Sequence, residues 1–450
     1  MSLLTSLIGR AQDGAALRSR ASGGACVALV GVSNLGKTAL MRHLCESDTQ
    51  SGHGTFVYVD CNAMPERTAR AFFIAVWRAL AHTLDTRRGD RALAARAERL
   101  NATLIRTADA EAFAFEFERG LALSLGHLPP PLVLCLDDFD EAYQALEAQT
   151  FLNLRAFKDR HGDALAYITA TEREFTRLPM SREQGELIEL FAPHVHYMNF
   201  MTCHDAREFC ARFAAQQGIT FGDADLTFIH ANADGHPGLA LAVCNALGNV
   251  TGAPTRNAHA QDHVRDRVIH QIVQHNLASD VNVRVECDKI WQDLEADERE
   301  ALFNLHHATE APVALRGLRA KFIVRDGDEG PFIFSRLFAD FVRRQQLAQQ
   351  PHARGVYVDV DAGTVTVEGK RVEELTDLEY RLLTFLYGKL DRVCDKYSIV
   401  ENVWGQQFID EVDDARIEKL ISRVRAKIEP DAAKPRYLVS VRWRGYKLAR

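Results

Sequence analysis

Residues 31–38 read Gly-Val-Ser-Asn-Leu-Gly-Lys-Thr, which has the spacing G-x-x-x-x-G-K-[ST] of a loop that holds the phosphates of a nucleoside triphosphate. The flanks supply the context that the motif needs. Cys26-Val27-Ala28-Leu29-Val30 is an unbroken apolar run of strand length upstream, and Ala39-Leu40-Met41-Arg42-His43-Leu44 continues downstream with good helix formers. A loop between strand and helix turns the backbone N–H groups of residues 33–38 toward a phosphate at the helix N-terminus, where positive partial charge gathers. Gly31, Asn34, Gly36, Lys37 and Thr38 are therefore the candidate phosphate-binding residues. Lys37 is expected to neutralise the β/γ-phosphates of ATP or ADP, and Thr38 to ligate Mg²⁺.

The 450 residues leave room for about three domains, and a hydrophobic fraction of 47% is ample for packed cores. No apolar run approaches the ~20 residues of a membrane span, and the N-terminus lacks a charged-then-apolar leader, so a cytoplasmic protein with no membrane partner is expected. The nine cysteines lack CxxC or paired spacing, and Cys203, His204 and Cys210 do not have the spacing of a usual zinc site. Further apolar runs at Thr55–Asp60, Leu132–Leu136, Leu165–Thr169 and Val195–Asn199, separated by helical stretches, predict a parallel sheet with crossover helices. The third run ends in Leu136-Asp137-Asp138-Phe139-Asp140, at the strand end where open α/β sheets place ligands. Asp137 is the natural Mg²⁺ partner, and Asp138 is the candidate for orienting an attacking water, with Asp140 as its substitute. A helix N-cap is the bland alternative for these acids.

With both motifs in place, the chain resembles the STAND class of P-loop ATPases within the wider AAA+ group. Leu7-Ile8-Gly9-Arg10 resembles the hhGR element that lies near the adenine. Ile168-Thr169-Ala170-Thr171-Glu172-Arg173 resembles the strand-end sensor segment, whose arginine, Arg173, reaches the γ-phosphate. Gly235-His236-Pro237-Gly238-Leu239 resembles the GxP element of the helical lid, in which Pro237 touches the nucleotide. Residues 290–345 resemble the winged helix that ends the ATPase module. The class commonly has glycine where this loop has Asn34, and asparagine is the non-glycine residue that best tolerates positive φ. Its long ligand-sensing repeats have no counterpart here, since no period of 30 to 45 residues is present.

From Val356 the pattern changes to short alternating strands, Val356–Val360 and Thr364–Val367, broken by turns at Asp361-Ala362-Gly363 and Glu368-Gly369-Lys370. Thr376-Asp377-Leu378-Glu379 is a capping box, and the helix it opens carries Leu378, Leu382, Phe385 and Leu386 on one face. A second helix carries Ile399, Val400, Val403 and Trp404. In a third, residues 413–428, Ile417, Leu420, Ile421, Val424 and Ile428 form one stripe, and Arg416, Lys419, Arg423 and Lys427 an adjacent one. A hairpin with cations at its tip follows, ending Arg442-Trp443-Arg444-Gly445-Tyr446-Lys447-Leu448. From Arg416 onward eleven Lys/Arg face three acids, so this segment is +8 within a chain of net charge −7. Residues 355–448 closely resemble the OmpR/PhoB-type winged-helix output domain. The resemblance implies a third helix in the major groove of double-stranded DNA and a wing in the minor groove, with Arg416, Lys419, Arg423, Lys427, Arg442 and Arg444 as contacts. Trp443 stands where the family usually has glycine.

The expected organisation is an α/β P-loop NTPase domain with a parallel sheet (1–200), a helical lid (201–280), a first winged helix (281–346), a linker (347–354) and a second winged-helix domain (355–450). The function expected is that of a bacterial, nucleoid-associated transcriptional regulator in which a slow ATPase sets conformation or oligomeric state under an unassigned inducer. The competing expectations are a DNA-acting AAA+ ATPase, similar to origin-recognition, transposition or phage-defence proteins, and a catalytically dead scaffold.

Overall fold

The computed structural model describes residues 8–46, 54–251, 263–305, 313–328, 330–349, 355–360, 363–372, 375–405, 408, 411–442 and 444–449. The chain divides into two units, residues 1–342 and 343–450.

In the first unit, helix α1 (Ala11–Ser22) leads into β1 (Val27–Val30), the phosphate loop and α2 (Lys37–Glu46). Strand β2 (Thr55–Asp60) is followed by α3 (Ala69–Arg88), α4 (Arg91–Arg106) and α5 (Ala110–His127). Strand β3 (Leu132–Asp137) is followed by α6 (Phe139–Ala145) and α7 (Ala148–His161), β4 (Leu165–Thr171) by α8 (Arg182–Ile188), and β5 (Val195–Tyr197) completes the sheet. The strand order is β2-β3-β4-β1-β5, and all neighbours run parallel. Side chains alternate between the two faces, as a period of two requires. Val27 and Leu29, Val133 and Cys135, and Ala166 and Ile168 enter one core with α1 and α2; Ala28 and Val30, Leu134 and Leu136, and Leu165 and Tyr167 enter a second under α3 to α8. The strands read as continuous apolar runs because both faces are covered.

The lid is formed by α9 (Cys203–Gln217), α10 (Asp223–Ala233), α11 (Pro237–Thr251) and α12 (His263–Leu277). Thr202 and Asp205 close a capping box on α9. A winged helix follows, with α13 (Val281–Gln292), α14 (Ala296–Phe303), α15 (Val313–Ala320), the antiparallel pair β6 (Val324–Gly327) and β7 (Gly330–Ile333), and α16 (Arg336–Gln349). Leu40 and Leu29 of the sheet layer, Leu239 and Val243 of the lid, and Ile290, Leu302 and Phe338 of the winged helix belong to one apolar core. The lid and winged helix are therefore packed onto the face of the sheet that carries the phosphate loop, and not strung beyond it.

The second unit begins with the antiparallel meander β8 (Val356–Asp359), β9 (Thr364–Val367) and β10 (Lys370–Arg371). It continues with α17 (Asp377–Tyr387), α18 (Lys396–Val403), α19 (Asp414–Ile428) and the hairpin β11 (Leu438–Val441) and β12 (Gly445–Leu448). All five apolar residues expected on the inner stripe of α19 are buried. Trp443 and most of the expected linker, from residue 350 to 354, lie outside the described residues. Among the described residues no helix is long and apolar enough to cross a membrane.

Candidate functional site

The phosphate loop leaves the C-terminal end of β1, a central strand, beside the ends of β3 and β4. Its backbone needs left-handed conformations at two positions, Asn34 with φ 59° and Gly36 with φ 96°, which asparagine and glycine tolerate at least cost. Arg10, 3% exposed, fastens the loop from behind. Its guanidinium donates to the carbonyls of Leu35 and Asn199 and pairs with Asp13. Gly9, φ 67°, precedes it where a Cβ would meet the Asp205 carboxyl group at 2.6 Å. Arg10 and Gly9 thus join the loop, α1 and the start of the lid.

Lys37 Nζ donates to the carbonyls of Gly31 and Val32 and lies 3.1 Å from Glu172 Oε1. Burial alone would lower the ammonium pKa, but Glu172, Asp293 and Asp140 outweigh it and raise the value. Asp137, at the end of β3, is fully buried. Its Oδ2 accepts the Tyr58 hydroxyl proton at 2.8 Å, and Oδ1 is left without a hydrogen-bond partner among the described residues. Burial raises the Asp137 pKa, and the Tyr58 and Thr38 hydroxyls oppose it; an orphaned carboxylate oxygen at a strand end beside the Thr38 hydroxyl is the oxygen donor pair that a hard divalent cation takes. Asp138 occupies the N-cap position of α6 at φ 50°, yet its side chain makes no cap bond and accepts from Asn62 Nδ2 instead. Burial, then repulsion from Asp137 and Glu172, push its carboxyl up to about 6. Asp140 is pushed up to about 8 by burial and by Glu172, whose backbone N–H it accepts. Glu172 itself falls to about 2: Lys37 outweighs the burial that opposes its charge.

Arg173, one residue further, donates to the Gln292 carbonyl at 2.7 Å, with Glu295 3.5 Å from its Nε. Pro237 is the first residue of α11, but the side chain that reaches the loop is its neighbour His236. His236 is fully buried, and burial lowers its pKa to about 4. Its Nδ1 accepts the Leu239 N–H, which places the proton on Nε2, the atom 3.0 Å from the Ser33 carbonyl oxygen. A neutral imidazole thus ties the lid to the loop.

Two acids of the winged helix complete the site, and nothing in the sequence pointed to them. Asp293, at the end of α13, accepts the Ser33 N–H at 2.6 Å and its hydroxyl at 3.1 Å. Glu286, two turns earlier, accepts Asn34 Nδ2 with both oxygens, at 2.9 and 2.7 Å.

In the second unit, Arg416, Lys419 and Arg423 are exposed on α19, and Arg442 and Arg444 are exposed on the wing. Lys427 donates to Glu379 Oε2 at 2.7 Å, and Arg423 lies 3.6 Å from the other oxygen. Burial works against the charge on Glu379, but Lys427 and the Thr376 N–H hold its pKa below the usual value. Arg425 is structural: it donates to the Leu438 carbonyl and the Ser440 hydroxyl, fixing α19 to the wing. Glu429 accepts the N–H groups of Arg436, Tyr437 and Leu438 and so sets the start of the hairpin. The unit as a whole carries twenty Lys/Arg against seventeen acids, so its basic surplus is concentrated in residues 416–450.

Residues 6–168 match the family described as an AAA ATPase domain, and residues 369–448 match the family described as the C-terminal domain of transcriptional regulatory proteins. The sensory transduction protein RegX3 of Mycolicibacterium smegmatis is 36% identical over 93 residues, 21% of this chain and 40% of RegX3. The chain therefore spans well under two thirds of that relative's length. Among solved structures, the RstA DNA-binding domain of Klebsiella pneumoniae, in complex with the RstA box, is 25% identical, with a TM-score of 0.19 over 21% of this chain and 91% of its own. The Walker-type ATPase PABY2304 of Pyrococcus abyssi is 12% identical, with a TM-score of 0.43 over 75% of this chain and 96% of its own.

Proposed function

Because the chain joins an AAA ATPase domain to the DNA-binding C-terminal domain of transcriptional regulators, we propose that it is a nucleotide-switched regulator of transcription. The observation that carries the nucleotide half is the convergence of Lys37, Thr38 and the unpartnered Asp137 oxygen at the ends of β1 and β3. Bound Mg²⁺–ATP supplies a terminal phosphate whose presence or loss distinguishes two states. Lys37 and the loop amides would bind the phosphates, Thr38 and Asp137 would hold the cation, and Asp138, which accepts from Asn62, would position water for slow hydrolysis. His236, beside Pro237 at the start of α11, couples loop position to the lid, and Arg173 ties the segment after β4 to the winged helix.

The second unit binds double-stranded DNA through α19 and the wing, in the bacterial cytoplasm. A single winged helix buries a small interface, so ATP-dependent self-association would raise affinity by linking several readers on one duplex. Sedimentation with ADP and with a non-hydrolysable ATP analogue, followed by a DNA titration in each state, tests the switch. The expected result is a larger particle and tighter DNA binding with the analogue. Identical mass and affinity in both states would overturn it, and turnover strongly stimulated by DNA would favour a DNA-remodelling ATPase.

A further inference from the structure

The lip of the phosphate loop is already occupied. Ser33 gives its N–H and hydroxyl to one carboxylate, Asp293, and Asn34 gives its amide to another, Glu286. Both acids belong to α13 or its C-terminal cap. A third contact holds the same helix end, where Arg173 donates to the Gln292 carbonyl. Glu286 is seated against the first turn of α11, close enough that a Cβ on Gly238 would come within 2.0 Å of its Oε2. A single carboxylate that takes two donors of one phosphate-loop residue uses the loop as an anion uses it.

The donors differ in place. The amides of Gly36, Lys37 and Thr38 open α2 and face along its axis, where the inner phosphates of a nucleotide are drawn by the helix dipole. Ser33 and Asn34 precede these amides in the loop, and their donors are the ones the two carboxylates already hold. A terminal phosphate that takes its hydrogen bonds from Ser33 or Asn34 brings its charge against these two carboxylates, of which Glu286 is otherwise paired with Lys289 at 3.1 Å. Two anions held at hydrogen-bond length on one N–H repel each other, so one of them is displaced.

We propose that α13 is a built-in competitor for the outermost phosphate: a nucleoside triphosphate, but not a diphosphate, displaces Asp293 and Glu286 and releases Arg173 from the helix end. This rests on the assignment of residues 31–38 as the nucleotide site. It gives Arg173 two positions, one on the Gln292 carbonyl and one free to meet added negative charge, and it makes triphosphate recognition depend on residues 252 and 260 positions from their loop partners. A ligand shifts such an equilibrium only through its differential affinity for the two states, and here the difference is one phosphate.

The test compares Kd for a non-hydrolysable ATP analogue and for ADP, each with Mg²⁺, by calorimetry in wild type, Asp293→Asn, Gly238→Ala and Lys37→Ala. Asp293→Asn weakens the competitor, and Gly238→Ala evicts the Glu286 carboxylate while favouring the helix it sits in. Each is expected to tighten the analogue about tenfold relative to ADP, the scale of one charged hydrogen bond. Amide exchange of residues 281–292 in the unmodified protein should quicken with the analogue and stay unchanged with ADP, a readout independent of any variant. An unchanged analogue-to-ADP ratio in both variants, or equal exchange with both nucleotides, overturns the competitor. If that happens while Lys37→Ala loses both nucleotides, the site assignment stands without it; if Lys37→Ala binds both as wild type does, the assignment falls and the competitor with it.

Discussion

Burial, and then Glu172, push the Asp140 carboxyl up to about 8, which favours its protonated form near neutral pH. Its folded value of about 8 lies above the ~3.9 of an unfolded aspartate, so the folded state binds the extra proton. The stability this contributes is full below about pH 4 and is lost as pH rises through about 8. Asp138 and Asp293, both pushed to about 6, act in the same direction at lower pH. Without nucleotide, the first unit should therefore lose stability between pH 5 and pH 8. Asp140→Asn, whose amide imitates the protonated acid, should flatten that slope and raise stability at pH 8 by on the order of 1–3 kcal/mol, the cost of a poorly satisfied buried polar group. Urea unfolding across the pH series checks this, and an undiminished slope in the variant would assign the proton elsewhere. Lys37→Ala should abolish tight nucleotide binding while the fold persists, since the loop otherwise supplies only dipoles; calorimetry decides it. Lys37, Thr38 and Asp137 were legible in the sequence because strand, loop and helix fix them locally. Glu172 and His236 stood inside recognisable stretches, but which side chain of each stretch meets the loop depends on the turn of the backbone. Asp293 and Glu286 left no trace, because an ordinary amphipathic helix does not announce which of its carboxylates will meet a loop 250 residues away.

Among the elements, α14 and the turn that follows α15 are joined by an ion pair with almost no exposure, Lys321 with Glu298, both of whose oxygens lie 2.9 Å from the ammonium. Removing one partner strands a buried charge. Lys321→Met should destabilise the first unit by about 3–5 kcal/mol, and the double change with Glu298→Gln should recover much of it. Denaturant unfolding of the three variants measures this, and strict additivity would deny the coupling. In the wing, Gly445 adopts φ 121°, where a Cβ would lie 2.0 Å from the Cys394 carbonyl oxygen. Gly445→Ala should therefore detach the hairpin from the strand-like bridge between Cys394 and Tyr446 and weaken DNA binding with little change in helix content, as circular dichroism and a binding titration would show. The sheet was readable because parallel strands covered on both faces become unbroken apolar runs, and α19 because its two stripes are cleanly separated. The pairing of Lys427 with Glu379 was not readable, since a cation on a basic stripe looks the same whether it faces solvent or a buried acid on another helix.

For the molecule as a whole, the expected DNA contacts separate by what salt does to them. Arg442→Ala or Arg444→Ala should weaken all duplexes and lower the salt slope by about one each, while Arg423→Ala should weaken a preferred site by about 1–3 kcal/mol more than a random one. Equal losses on both duplexes would make Arg423 a phosphate contact. The second unit is three charges positive overall, yet its last 35 residues hold a surplus of eight and the remainder is five negative. Such a body has little monopole and a large dipole moment. At physiological ionic strength, where fields fade over about 8 Å, DNA hardly pulls on it from afar but exerts a torque at close range. Encounter frequency is then set by diffusion, and the field acts on orientation, turning the wing and α19 toward the duplex during the last few ångströms of approach.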